Sequence, residues 1–94
     1  MIFRWDEKKN RSNQRKHGLS FETGMVVFDD PNAVIYPERF VEGEERWHAV
    51  GTAGGGAILL VVHTVTEDYG EETIRIISVR KADRRERALY PSPH

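Results

Sequence analysis

A chain of 94 residues is long enough for one hydrophobic core and too short for two, so the sequence predicts a single domain over 1–94. No apolar run is long enough to span a bilayer and Met1-Ile2-Phe3-Arg4-Trp5-Asp6 lacks a secretory pattern, so a cytoplasmic protein is expected. Zero cysteines exclude disulfides, zinc ribbons and thiol nucleophiles, and the net charge of -1 conceals a split: six cations against two acids in 1–17, two against eleven in 18–72, six against two in 73–94.

Residues 2–5 alternate weakly and predict a short strand. Asp6 then caps a polar helix over 7–17, closed by Gly18 in the left-handed position. This helix has no apolar stripe: Asn10, Asn13, Gln14 and His17 are all polar, so it docks through amides and long stems or lies exposed. Ser20 caps a second helix in which Phe21, Met25 and Phe28 recur at core spacing, ended by Asp30-Pro31. A short strand over 32–36 stops at Pro37, and 38–45 reads as a charged loop. Residues 46–53 and 57–65 are two strands joined by Gly54-Gly55-Gly56, which is not a phosphate loop because no helix follows it. A loop over 67–72 leads to the last strand.

That strand, 74–79, is β-branched and apolar with little alternation, as a strand covered on both faces requires. Asp83 and Glu86 have the spacing of a capping box, so a short helix follows and runs to Pro91. Arg80 and Lys81 leave the sheet where this helix begins, a junction that reads as a phosphate site. The predicted order of elements is that of an α+β sandwich: N-terminal helices on one face of an antiparallel meander, then a short C-terminal helix.

Phe3-Arg4-Trp5-Asp6-Glu7-Lys8-Lys9-Asn10, Lys16-His17-Gly18, Phe21-Glu22, Glu45-Arg46-Trp47-His48-Ala49-Val50-Gly51, 74–82 and Arg85-Glu86-Arg87 together resemble the BrnT toxins, in order and over nearly the whole chain. The resemblance implies a RelE-like fold and a metal-independent ribonuclease that blocks translation. It also implies a partner: a BrnA antitoxin of the ribbon-helix-helix class, which forms a heterotetramer with the toxin and contacts operator DNA.

Metal-free RNA cleavage needs a base for the 2′-hydroxyl, cations for the charge on phosphorus and an acid for the leaving oxygen. Strand parity offers a grouping. If an even-numbered loop closes the Gly54 to Gly56 hairpin, Arg46 lies opposite His63, and Arg46, His48 and His63 share a face; a matching turn after Asp68 adds Ser78 and Arg80. The other face then holds Trp47, Ala49, Ile58, Leu60, Val62, Ile77 and Val79. The expected catalytic set is Arg46, His48, His63 and Arg80, with His63 favoured over His48 as proton carrier. The expected RNA contacts are Lys16, His17, Arg75, Lys81, Arg84, Arg85 and Arg87, with neither a metal nor another cofactor.

Plainer readings stand beside these. Arg46 is equally able to pair with Glu44 or Glu45, both histidines suit half-buried strand positions, and Arg84, Arg85 and Arg87 suit a solvated helix face. Lys16 and His17 sit where a helix dipole alone favours cations. The competing function is a non-catalytic module that binds nucleic acid or a partner, acting as a co-repressor.

Overall fold

In the computed structural model, which describes residues 1–91, the chain runs β1 (Ile2–Arg4), α1 (Glu7–His17), α2 (Phe21–Val27), β2 (Val34–Val41), β3 (Glu44–Thr52), β4 (Ile58–Asp68), β5 (Glu71–Lys81) and α3 (Arg84–Leu89). The last three residues of the expected 1–94 domain lie outside the described residues. The strands form one sheet in the order β1-β5-β4-β3-β2. It is a mixed sheet and not the purely antiparallel meander expected, because β1 pairs with β5 in parallel. Among the described residues no helix is long and apolar enough to cross a membrane.

Two stretches expected as loops are hairpins. Glu42 and Gly43 have φ of 51° and 79°, and Tyr69 and Gly70 have φ of 51° and 78°. Two successive positive φ values are what a two-residue hairpin turn with native strand twist needs, and glycine takes the second without steric cost. β2 therefore continues through Pro37 to Val41, and β4 and β5 extend to Asp68 and from Glu71. Pro37 is tolerated because β2 is the sheet edge, and its register against β3 shifts between Pro37 and Arg39.

The polar α1 docks by two buried asparagines. Asn10 Oδ1 accepts from the Phe21 N–H, satisfying a free donor at the start of α2, while its Nδ2 donates to Glu7 and Glu22. Asn13 Nδ2 donates to the Val79 carbonyl at 2.8 Å and Asn13 Oδ1 accepts from the Val79 N–H at 3.1 Å. One amide thus takes the place of a neighbouring strand where β1 has ended beside β5. The Asp6 and Gly18 caps are both present.

The core lies between the sheet and the two N-terminal helices. Phe21 and Val27 of α2 meet Ala49, Leu59, Val61, Ile74, Ile76 and Val79, with Phe3, Trp5, Met25 and Phe28 against them. Gly24 is required there, because a Cβ at that position would stand 2.5 Å from Val79 Cγ2. Burying side chains of this kind contributes about 1.5–3 kcal/mol each. On the helix side, Tyr90 donates to Asp30 at 2.6 Å and fastens the end of α3 to the segment after α2. Asp30 also accepts from the Thr52 N–H and hydroxyl; burial works to raise its pKa, but these hydrogen bonds outweigh burial and hold it below the usual carboxylate value.

Candidate active site

The faces of the central strands follow from register. Thr52 pairs with Ile58, so five residues (53–57) close the β3–β4 hairpin, an odd number. His63 consequently stands opposite Trp47 and not opposite Arg46. Between β4 and β5, Val62 pairs with Ser78 and His63 with Ile76, which leaves Ile77 as an extra residue in a β-bulge. Arg46, His48, Leu60, Val62, Ser78 and Arg80 end on the face away from α1 and α2, while Trp47, Ala49, Val61, His63, Ile76 and Val79 face the helices. The expected grouping of Arg46, His48, Ser78 and Arg80 is seen. His63 is separated from it by the thickness of the sheet, and Ile58, Leu60 and Val62 lie on the opposite face from the one expected.

His63 is a core residue, 0% exposed. Its ring packs edge-on against Phe28, with centroids 4.9 Å apart, and its Nδ1 donates to the Val61 carbonyl at 3.1 Å. Burial pushes its pKa down, so the ring is neutral and Nε2 is a bare acceptor, buried without a partner.

On the other face, Arg46, His48 and Arg80 line one groove of about 440 Å³, together with Glu38, Arg39, Val41, Val62 and Glu86. Arg46 Nε is buried there without a hydrogen-bond partner. Arg80 donates through both terminal nitrogens to the two oxygens of Glu86, at 2.8 Å each. That fork-to-fork pair keeps Glu86 below the usual carboxylate range and Arg80 firmly charged. His48 Nδ1 lies 3.2 Å from the Tyr36 hydroxyl. Burial lowers the His48 pKa and outweighs the attraction of Glu38 and Glu86. Tyr36 is held as a phenol, first by burial and then by the same two carboxylates. At neutral pH the groove therefore contains a neutral imidazole beside three guanidinium groups, of which Arg80 is paired with Glu86 and Arg39 with Glu38.

Sequence reasoning missed Tyr36 and Glu86 in this groove. Tyr36 pairs with His48 across β2 and β3, which is visible only once β2 is aligned with β3 through the Glu42-Gly43 turn. Glu86 was legible as the third member of the capping box, and that box forms: Asp83 accepts from the Glu86 N–H, and Glu86 from the Asp83 N–H, each at 2.8 Å. The spacing gave no sign that the same carboxylate would also hold Arg80. The phosphate site expected at the start of α3 is accordingly filled from within, by the Asp83 and Glu86 carboxylates.

The remaining cations are dispersed. Arg75, on the groove face of the sheet, is bound to Glu44. Lys81, Arg84, Arg85 and Arg87 are exposed around α3, with Arg87 also donating to the Ala82 carbonyl at 2.9 Å. Lys16 and His17 line a second, shallower hollow with Lys9, Ser12, Asn13, Ile77 and Ser78, beside the bulge. Among the described residues no three His, Asp or Glu side chains cluster as metal ligands.

A family model described as the ribonuclease toxin BrnT of a type II toxin-antitoxin system matches residues 5–86. Among solved structures, the crystal structure of the Brucella abortus ribonuclease toxin BrnT is similar, with 28% sequence identity and a TM-score of 0.66, covering 89% of this chain and 100% of that one. No curated protein matches the chain. The matched stretch runs from Trp5 through the strands bearing Arg46, His48 and Arg80 to Glu86 itself, and the chain thus belongs to the BrnT family of ribonuclease toxins from type II toxin-antitoxin systems.

Proposed function

We propose that this chain is a metal-independent endoribonuclease that cleaves RNA in the groove lined by Arg46, His48 and Arg80, and thereby inhibits translation. The observation that carries the reading is that one groove holds a neutral, half-buried His48 together with Arg46, whose Nε has no partner among the described residues. With the hydrogen on Nδ1 directed to Tyr36, His48 Nε2 is bare and takes the proton of the 2′-hydroxyl. The 2′-oxygen then bonds to phosphorus, Arg46 and Arg80 stabilise the extra charge, and the 5′-oxygen leaves with a proton from solvent in the open groove. Arg80 reaches phosphate by exchanging it for Glu86. The exposed Lys81, Arg84, Arg85 and Arg87 continue the positive surface from the groove, and Arg75, Lys16 and His17 lie farther along the RNA path.

In this reading the fold is a RelE-like single domain over 1–94, working in the cytoplasm. It is held by a BrnA-type ribbon-helix-helix antitoxin in a heterotetramer, and only the antitoxin touches operator DNA. The test uses purified protein and RNA with EDTA present. Wild type is expected to cleave, His48→Ala to lose about 100-fold or more, and Arg46→Lys and Arg80→Lys to lose activity despite keeping charge, because the planar fork is lost. Full activity in His48→Ala, or abolition by EDTA, overturns the mechanism. Harmless expression of the chain alone in bacteria, without RNA cleavage, favours the non-catalytic binding module instead.

A further inference from the structure

Another concavity lies on the helix side of the sheet, away from the proposed catalytic groove. It is a cleft of about 350 Å³ walled by Met1, Phe28, Ile35, Trp47, Val65 and Ile74. Phe28, the C-cap of α2, and Met1, just before β1, close it, and strand residues of β2 to β5 form the rest. Met1 and Ile35 are 63% and 47% exposed, so apolar surface is left open in the free chain.

Two further observations say what fits there. His63 also lines this cleft, and its buried Nε2 is an acceptor with no donor, since Nδ1 is already committed to Val61. Glu72 stands at the rim, and Glu67, Asp68 and Glu71 crowd the adjoining turn; among the described residues only Glu71 of these three is paired, with the Met1 amine at 3.0 Å. The site is thus mostly apolar, holds one buried acceptor left unpaired, and has an acidic border. RNA is repelled by such a border, whereas an apolar peptide segment with basic neighbours is attracted.

We propose that this cleft is the anchor site for the antitoxin, which inserts an apolar side chain with a hydrogen-bond donor toward His63 and sets Lys or Arg against Glu72. The proposal rests on the chain's being a toxin held by a protein antitoxin. It places the anchor on the face opposite the catalytic groove, so that binding and cleavage are separable by mutation.

The test measures binding of the purified BrnA-type antitoxin, alongside RNA cleavage by the free toxin. Ile35→Lys is expected to weaken binding at least tenfold, and Glu72→Lys severalfold with a flatter salt dependence. Val26→Lys, at a 39% exposed position on α2 outside the cleft, is expected to bind as wild type does. All three are expected to cleave RNA at the wild-type rate, which also shows that they fold. Wild-type affinity in both Ile35→Lys and Glu72→Lys overturns the proposal. So does self-association of the free toxin that Ile35→Lys abolishes, since the occupant is then a second copy. If wild type itself neither cleaves RNA nor binds antitoxin, the toxin reading falls first and the anchor with it.

Discussion

Arg80 and Glu86 are joined fork to fork, and Glu86 simultaneously closes the cap of α3 on the Asp83 N–H. One carboxylate therefore restrains the guanidinium proposed to hold RNA phosphate and fixes the helix that follows. Glu86→Gln is expected to raise RNA affinity severalfold, because phosphate no longer displaces an anion from Arg80. It is also expected to lower stability by about 1 kcal/mol through the weakened cap and a partly exposed ion pair. Binding to a non-cleavable RNA and urea unfolding measure the two effects; unchanged affinity would show that Arg80 is already free to bind.

In the proposed mechanism the acid limb of activity reports His48. A base works only when unprotonated, and burial holds the His48 pKa below its ordinary value. The kcat/KM profile is therefore expected to inflect below pH ~6.5 and to stay flat from there to neutrality. Tyr36→Phe removes the contact at His48 Nδ1 and is expected to lower kcat while leaving RNA binding intact. An inflection above pH ~6.5 would rule His48 out as the base in its present environment.

In the free chain His63 is expected to matter for stability and not for RNA cleavage. Its folded pKa is lowered by burial, so its neutral form favours the fold fully above the unfolded value of ~6.5, and that contribution is lost as pH falls from there through the folded pKa. His63→Leu also removes the unpaired Nε2, so it is expected to cleave RNA normally and to lie within about 1 kcal/mol of wild type at pH 7. The difference in unfolding free energy between the two should shift in favour of His63→Leu as pH is lowered from 7 to 5. A parallel pair of curves would mean that the buried ring is not the acid-sensitive group.

Asn13 holds both backbone groups of Val79, so its replacement leaves two buried polar groups unpaired. Asn13→Ala is expected to cost about 2–4 kcal/mol and to speed hydrogen exchange of the Val79 amide. Asn13→Asp is expected to be nearly as damaging, because a carboxylate offers no donor to the Val79 carbonyl. Recovery of stability in Asn13→Asp would show that the carbonyl bond is dispensable.

The helices were legible because their signals are local. Asp6, Gly18, Ser20 and the Asp83–Glu86 box mark their own ends, and all four features are present. The site was half legible. Alternation along single strands placed Arg46 with His48 and Ser78 with Arg80, but placing His63 required the length of a five-residue loop and a bulge at Ile77. Both are set by how sheet and helices pack, and a one-residue slip inverts a face. Charge hid the turn at Glu42-Gly43, where the acidic run from Glu38 to Glu45 reads as solvent-facing loop although its residues pair across an edge hairpin.

The parallel pairing of β1 with β5 joins Ile2–Arg4 to residues 73–75, about three quarters of the chain apart. The three hairpins between β2 and β5 close over short turns and carry low entropic cost, whereas β1 must wait for a strand made last. During synthesis from the N-terminus, Arg80 and Glu86 emerge after every other part of the groove. The groove proposed to cleave RNA is thus completed only once β5 and α3 have emerged, so a nascent chain that ends before Arg80 is expected to lack the activity.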